Sequence, residues 1–169
     1  NPVTFTHGDT ALRVTHKDHG MYNTSNNVTI SGVSSGLSTT LSAAITSTAT
    51  SLTLTSGTNF SNTTGKFAGT TDSTSRYYIK IDDEIMYYET ISTTSVSSLV
   101  RAQEGTTAAA HAAGATVEFF QLHKVPLSQV NKTHTAIGNI DLDSYTITLT
   151  SSPVFDGGSG SSAENGGAN

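Results

Sequence analysis

The chain has 169 residues, a formal net charge of −5 and no cysteine, so it has room for one domain or two small ones and can form no disulfide or thiolate metal site. Only eight Lys and Arg residues are present and they are not clustered, which excludes the basic surface that a nucleic-acid backbone requires. No stretch approaches the ~18 consecutive apolar residues of a membrane-spanning helix, so membrane insertion is not predicted.

The most unusual feature of the composition is its hydroxyl content. Ser and Thr together supply 53 residues, whereas the apolar set makes up only 34% of the chain, which is close to the range of disordered chains. Threonine, however, is β-branched and fits a pleated, half-buried surface. Thr-rich segments that alternate with Val, Ile and Leu therefore predict an all-β fold.

The N-terminal third contains three alternating runs. Residues 11–16 and 27–32 are separated by turn-forming residues and predict a pair of antiparallel strands. Residues 48–56 predict a further strand. The next stretch, residues 57–75, has no apolar periodicity, so it predicts a long loop that is mobile or takes part in interactions.

The clearest local pattern is a β-hairpin. Residues 77–81 and 84–91 alternate aromatic and β-branched side chains on either side of Asp82 and Asp83, which are typical of a tight turn. Residues 96–101 predict the next strand.

The C-terminal half contains one segment with helix propensity. Residues 106–113 are rich in alanine and are followed by Gly114, which predicts at most one short helical element. Three further strands are predicted at residues 115–120, 133–137 and 144–150. The segment from residue 156 to residue 169 is rich in Gly and Ser, and it predicts a tail that is flexible until a neighbour orders it.

One motif resembles a known family of modules. It runs from I-K-I-D-D-E-I-M-Y-Y at residues 79–88, through Arg101, to E-G-T-T-A-A-A-H-A-A-G-A-T-V at residues 104–117. It resembles a small β-module that recurs in tail, baseplate and fibre proteins of tailed phages, with the pattern I-x-x-E-x-[IM]-x-Y before R-G-x-x-G-T-x-A-x-x-H-x-x-G-x-x-V. The chain has Ala102 where this pattern has glycine.

A second set of segments flanks this motif. The set is similar to another structural pattern of tailed phages, and both patterns together resemble structural proteins of marine cyanophages. Its segments are V-T-H-K-D-H-G-M at residues 14–21, V-T-I-S-G-V at 28–33, V-P-L at 125–127, V-N-K-T-H-T at 130–135 and Y-T-I-T at 145–148.

Because the halves of one pattern flank the other, the resemblance implies nested domains. The expected fold class is all-β, with small antiparallel β-sandwich or barrel domains, one inserted in the other, and at most one short helical turn. The expected parts are an outer β-domain of residues 1–38 and 121–155, an inserted small β-module of residues 39–120, and a flexible tail of residues 156–169.

The resemblance also implies a function without chemistry. We expect a structural protomer of a phage virion (tail, fibre or baseplate) or of a related extracellular assembly, which forms a homo-oligomer and contacts other virion or filament proteins. Its β-domains and the chain ends, residues 1–10 and 151–169, are the expected joints, because sheet edges offer unpaired backbone groups to a partner. Two alternatives are a receptor-binding or glycan-binding module that contacts the host surface, and a subunit of a non-viral extracellular filament. An enzyme is the least favoured interpretation.

Histidine and carboxylate residues near the N-terminus suggest one metal site. His16, Asp18 and His19 lie within four residues of sequence, and His7 and Asp9 could add to them. The favoured interpretation is turn chemistry, in which His19 makes a structural hydrogen bond, because His16 and His19 face different directions in a strand and turn.

For the remaining titratable candidates, a structural interpretation is favoured over a catalytic one. Asp82, Asp83 and Glu84 form the one acidic run, and a solvated hairpin tip is favoured over acid–base catalysis or calcium binding. His111 and His134 are expected to tie down loops through backbone carbonyls rather than to act as bases. No catalytic, cofactor-binding or metal-binding residue is therefore predicted, and no cofactor is expected.

Five Asn-x-Ser/Thr sequons would matter in a host that glycosylates proteins. The favoured interpretation is chance, because the chain is rich in all three residue types. The sequons begin at Asn23, Asn27, Asn59, Asn62 and Asn131.

Overall fold

The computed structural model describes residues 3–5, 8–58, 60, 77–122, 125–151 and 164–165. The predicted all-β fold class is confirmed, since these residues form short strands in antiparallel sheets and one 3-10 turn, Leu127–Gln129. No helix in this part of the chain is long and apolar enough to cross a membrane. In chain order the strands are β1 Val3–Phe5, β2 Ala11–Thr15, β3 Val28–Thr29, β4 Ser38–Thr40, β5 Leu52–Thr53, β6 Tyr77–Ile81, β7 Glu84–Tyr88, β8 Thr90–Ser92, β9 Ser95–Ser97, β10 Val100–Gln103, β11 Thr116–Phe119, β12 Gln121–Leu122, β13 Val125–Pro126, β14 Thr133–His134, β15 Ser144–Thr148 and β16 Glu164–Asn165.

The chain is divided into two compact units. A discontinuous unit comprises residues 1–34 and 125–169, and an inserted unit comprises residues 35–124. The predicted boundaries lie after residue 38 and after residue 120. In the structure, Ser38 pairs with Glu118 of β11, so β4 belongs to the inserted unit.

The main sheet of the discontinuous unit has the strand order β15-β2-β1-β16. Leu12 and Val14 of β2 are buried, and the residues between and after them are exposed. Tyr145 and Ile147 of β15 lie opposite Val14 and Leu12 and are buried as well. The period of two therefore places one apolar face of these strands in a core.

The predicted pairing of residues 11–16 with residues 27–32 is wrong. β2 pairs with β1 and β15, whereas β3 pairs with β14. The ladder between β2 and β15 has five residue pairs with matching buried positions, but the ladder of β3 has only two. Alternation determines which face of a strand is buried, whereas the partner depends on the longest matching ladder in the fold.

Two predicted segments are described only in small part. In the C-terminal segment, β16 pairs with β1, with Thr4 opposite Asn165 and Phe5 opposite Glu164. The rest of the predicted tail, residues 156–169, lies outside the described residues. The same is true of most of the predicted loop 57–75.

The inserted unit contains a five-stranded sheet with the order β10-β7-β6-β11-β4 and a three-stranded sheet with the order β5-β9-β8. The predicted hairpin is confirmed, because β6 and β7 pair from Tyr77 and Tyr88 to Ile81 and Glu84. Asp82 begins the turn with a φ of 51°, a left-handed conformation that Asp tolerates better than most residues. All five residues of β7 are buried.

One local prediction for this unit is wrong, and the one segment with helix propensity forms no helix. The predicted strand 96–101 is divided between β9 and β10, which belong to different sheets, and the chain bends at Ser98 with a φ of 53°. Residues 106–113 form no helix. Instead, His111 forms an isolated antiparallel bridge with Ile45, and hydrogen bonds to distant residues replace the helical ones.

Candidate functional site

A polar cluster in the inserted unit consists of the buried Glu84 and His111, the mostly buried Arg101 and the exposed Asp82, and we call it the Glu84 cluster. Asp82 lies in the hairpin turn and Glu84 is the first residue of β7. Arg101 lies on β10, the strand that pairs with β7, and His111 lies in the segment after β10. Strand pairing therefore brings together residues that are distant in sequence.

The carboxylate of Glu84 is at the centre of the cluster, and the residue is only 1% exposed. Its Oε1 accepts hydrogen bonds from Arg101 Nε at 2.8 Å and from the backbone N–H of Ala102 at 3.1 Å. Its Oε2 accepts from Arg101 Nη2 at 2.7 Å and from the backbone N–H of Ala109 at 3.0 Å, and it lies 2.9 Å from His111 Nε2. A carboxylate has about four lone-pair sites, so these contacts saturate it.

Arg101 connects Glu84 to two other segments. Its Nη1 donates to the carbonyl oxygen of Thr46 at 2.6 Å, and its Nη2 donates to that of Ala109 at 2.6 Å. The guanidinium thus binds the carboxylate with two nitrogens and still reaches two backbone oxygens, which suits its planar array of donors.

His111 is held from both sides. Its side chain is 1% exposed, and its Nδ1 lies 2.7 Å from Asp82 Oδ2 while its Nε2 contacts Glu84. Its backbone N–H and carbonyl both pair with Ile45, at 3.0 and 2.9 Å. The ring and the backbone of His111 therefore fasten this segment at three places.

The electrostatics of Glu84 follow from these contacts. Burial by itself raises the pKa of the carboxyl, because it penalises the charged form. The hydrogen bonds from Arg101, Ala109, His111 and Ala102 outweigh burial and lower the pKa of Glu84 from 4.5 to about 2. Glu84 is therefore ionised throughout the physiological range.

Known proteins provide no template for this cluster. No family model, curated protein or solved structure matches the chain. What the Glu84 cluster does is therefore inferred from its own contacts. The hydrogen-bond acceptors of the Glu84 carboxylate are used by donors of the same chain. Ala109 bonds to both Glu84 and Arg101, and these contacts explain why residues 106–113 are not helical.

The interpretation of the acidic run as a solvated hairpin tip is wrong for Glu84, although Asp82 and Asp83 are exposed. Glu84 is buried because its partner Arg101 lies on a strand that the local pattern does not connect to the hairpin. Arg101 was named in the phage-like motif, but no role in a site was predicted for it. The signal was available, since Glu84, Arg101 and His111 are the E, R and H of the phage-like motif.

The other candidate histidines bond mainly to backbone atoms. His134 is buried, and its Nε2 lies 3.1 Å from the carbonyl oxygen of Val130, as predicted for a histidine that ties down a loop. His19 accepts a hydrogen bond at Nδ1 from the backbone N–H of Met21 at 2.9 Å, and its Nε2 lies 3.4 Å from the carbonyl oxygen of Ser144. These are the contacts of structural residues in and beside turns.

Two of the N-terminal residues considered for a metal site, Asp9 and Asp18, take part in hydrogen bonds between a backbone N–H and a carboxylate. The backbone N–H of Asp18 donates to Asp143 Oδ1 at 3.1 Å, and Asp9 Oδ1 accepts from the backbone N–H of Ala11 at 2.9 Å. His7 lies outside the described residues. Within the described ranges, no group of three or more His, Asp or Glu side chains could hold a metal ion.

The sequons differ in how far their asparagines are engaged. The amide of Asn131 bonds to both the backbone N–H and the carbonyl of Val33, at 3.0 and 2.7 Å, so it serves the fold. Asn23 and Asn27 are exposed, whereas Asn59 and Asn62 lie outside the described residues.

Proposed function

We propose that the chain is a non-enzymatic structural subunit of a tailed-phage virion or a related extracellular assembly, which associates with copies of itself and with other structural proteins. The saturation of the Glu84 carboxylate supports the non-catalytic part of this proposal, and the phage-like motif supports the rest. An acid or base in catalysis must exchange a proton with a substrate, and Glu84 has no lone pair left for one. The buried Glu84 carboxylate, whose pKa is lowered to about 2, thus serves the fold.

The arrangement of the cluster supports a mechanical role. It joins the hairpin turn, β10, the backbone at Thr46 and the segment from Ala109 to His111. Removing one partner from a buried ion pair leaves an uncompensated charge and costs about 3–5 kcal/mol, so a complete network resists local opening. Such resistance suits a subunit that transmits load.

The surface chemistry of the inserted unit fits assembly with similar subunits. In the sheet β5-β9-β8, Leu52, Val96 and Ile91 are buried in one row across the three strands. The strand residues that flank this row are exposed and carry only hydroxyl groups: Thr53, Thr90, Ser92, Ser95 and Ser97. Hydroxyls both donate and accept hydrogen bonds, so this uncharged face can pair with a partner without juxtaposing like charges.

Light scattering and electron microscopy of the full chain at several concentrations test this proposal. We expect ordered assemblies whose mass grows with concentration. The truncation that ends the chain after Ser151 tests the predicted C-terminal arm, and we expect it to shorten or abolish the assemblies. The substitution Asp83→Asn, on an exposed turn, serves as the control that leaves them unchanged. A monomer at every concentration would overturn self-assembly, and unchanged assembly after truncation would overturn the role of the arm.

A binding module is the second candidate, and one observation favours it. Tyr22 is 92% exposed, and exposed aromatic side chains are the usual anchors of interfaces. Retention of the full chain on host cells, compared with the variant Tyr22→Ser, separates this candidate from the first. An open cleft of about 230 Å³ in the discontinuous unit gives weaker support to a binding module, because no Trp, Tyr or Phe lines it. Its lining residues are Lys132, Thr133, His134, Thr135, Ala136 and Thr148.

A further inference from the structure

The open cleft of the discontinuous unit lies beside β14 and the end of β15, and its lining is almost entirely polar. Its volume of about 230 Å³ is below the roughly 300–1,000 Å³ of pockets for drug-sized ligands, so it suits a ligand of about one ring. No aromatic ring is among its six lining residues, and Ala136 is the one apolar member. Recognition in this cleft therefore rests on charge and hydrogen bonds.

The cleft opens where strand pairing ends. Gly138 and Thr146 form an isolated antiparallel bridge and exchange two backbone hydrogen bonds of 2.8 Å. In the same register Ala136 would lie opposite Thr148, but no bridge joins these two described residues, and both line the cleft instead. The opening is thus built by the path that the chain takes from β14 to the edge of β15.

Lys132 gives the cleft a positive charge. Its side chain is exposed, and it forms no ion pair with any residue that the structure describes. The six lining residues include no Asp or Glu. The chain has a net charge of −5 and only eight Lys and Arg residues. A cation without a counter-ion in this cleft favours an anionic ligand, because a carboxylate forms a charge-assisted hydrogen bond with an ammonium group.

His134 supplies an acceptor. The residue lines the cleft although it is only 5% exposed. Its Nε2 lies 3.1 Å from the carbonyl oxygen of Val130, and a carbonyl only accepts, so Nε2 carries the hydrogen. Its Nδ1 has no hydrogen-bond partner within the described ranges of the chain. In the neutral ring Nδ1 accepts a hydrogen bond, and a ligand satisfies it by donating one.

Threonine hydroxyls complete the lining. Thr135 and Thr148 are exposed, and their hydroxyls make no hydrogen bond to another described residue. The hydroxyl of Thr133 lies 2.8 Å from that of Thr29, which holds it against β3. Because a hydroxyl both donates and accepts, Thr135 and Thr148 can bond to the hydroxyl groups of a ligand.

We propose that this cleft binds a carboxylated sugar unit, such as a uronic acid, with its carboxylate on Lys132 and one of its hydroxyls donating to Nδ1 of His134. Such a ligand carries both complementary groups. A neutral sugar has the hydroxyls but leaves Lys132 without a counter-charge, and a simple carboxylate such as acetate has the charge but no hydroxyl for His134. This inference goes beyond the proposed function and does not rest on it, because it concerns one cleft of the discontinuous unit.

Titration of the ¹⁵N-labelled full chain with glucuronate, followed by NMR, tests the site. We expect the backbone amide signals of residues 132–136 and Thr148 to shift with a dissociation constant on the order of 1 mM, as is usual for a ligand of so few atoms. Glucose and acetate each lack one of the two groups, so each should bind at least about tenfold more weakly. The proposal would be overturned by equal binding of either compound, or by no response to glucuronate.

A matched pair of variants tests the charge. Lys132→Gln removes the cation from an exposed side chain, and we expect it to weaken glucuronate binding by about tenfold, since loss of a charge-assisted hydrogen bond costs at least this factor. Lys17→Gln makes the same change at another exposed position of the same unit, outside the cleft, and should leave binding unchanged. Equal effects of the two substitutions would show that only the net charge of the chain acts, which contradicts a site.

The ring nitrogens of His134 report on the hydroxyl contact in the wild-type chain, without a substitution that would remove the bond to Val130. At about pH 7 we expect the chemical shift of Nδ1 to move when glucuronate is added, because this nitrogen gains a donor. Nε2 should keep the shift of a protonated nitrogen, and acetate should leave Nδ1 unchanged. An Nδ1 signal that did not respond to saturating glucuronate would show that His134 does not contact the ligand, and the proposed mode of binding would be wrong.

Discussion

Two arginine–carboxylate pairs in this chain have the same chemistry and very different surroundings. Arg101 and Glu84 of the inserted unit are 2.7 Å apart, with side chains 10% and 1% exposed. Arg13 and Asp141 of the discontinuous unit are 3.2 Å apart, with side chains 61% and 55% exposed. Water screens the second pair and weakens its attraction, whereas burial makes the first pair costly to break.

The same contrast extends to the backbone beside each pair. Ala102 donates its N–H to Glu84, and Asp18 donates its N–H to Asp143; both residues have left-handed backbones, with φ values of 56° and 53°. Aspartate tolerates this conformation better than alanine. The buried cluster therefore imposes a conformation on Ala102 that the residue itself disfavours, and the exposed turn uses a residue suited to it.

The largest expected effect comes from Glu84→Gln. Glutamine preserves the shape but leaves the buried Arg101 without its counter-charge, so we expect the free energy of unfolding to fall by about 3–5 kcal/mol in urea titrations. Asp83→Asn is the control for loss of a carboxylate in the same hairpin. A loss of unfolding free energy no larger than that of the control would mean that the buried pair contributes no more to stability than an exposed carboxylate.

Acid should weaken the buried pair next. Glu84 has its pKa lowered from 4.5 to about 2 in the folded chain, so its contribution to stability is present above pH 4.5 and is lost as the pH falls towards 2. That difference corresponds to about 3 kcal/mol. The other carboxyl groups titrate as well, so the measurement is the difference between the pH profiles of the wild type and Glu84→Gln. If the stability of the wild type and that of Glu84→Gln fell in parallel between pH 4.5 and 2, Glu84 would not contribute to acid sensitivity.

Relief of backbone strain should give a smaller effect of opposite sign. Ala102→Gly removes the Cβ from a left-handed residue, so we expect unfolding to require about 1 kcal/mol more. Ala112→Gly is the control, because Ala112 is exposed and its φ is not positive. If the two substitutions had the same effect, the conformation of Ala102 would store no strain.

The smallest effect should come from Arg13→Gln. The pKa of Asp141 is lowered first by the hydrogen bond from the Ser144 hydroxyl and then by the backbone of Asp143, and Arg13 is the weakest cause. We therefore expect the melting temperature to stay within experimental error, with no dependence on salt concentration. A loss close to that of Glu84→Gln would remove the contrast between the two pairs.

The sequence alone determined the fold class and the local strand pattern. Alternation of apolar and polar residues indicated β2, β15 and the hairpin of β6 and β7, because the period of side chains along a strand is a local property. The tight turn at Asp82 and Asp83 was predicted for the same reason. The phage-like resemblance, and the structural function that it implies, stay predictions.

Only the tertiary structure decided the partners. β2 pairs with β15 instead of β3 because strand pairing depends on complementary faces that are far apart in the chain. Glu84 and His111 are 27 residues apart, so no local pattern shows that they touch. The alanine-rich segment 106–113 forms no helix for the same reason. Its intrinsic propensity amounts to tenths of a kcal/mol per residue, and its hydrogen bonds to Arg101 and the buried Glu84 carboxylate outweigh that preference.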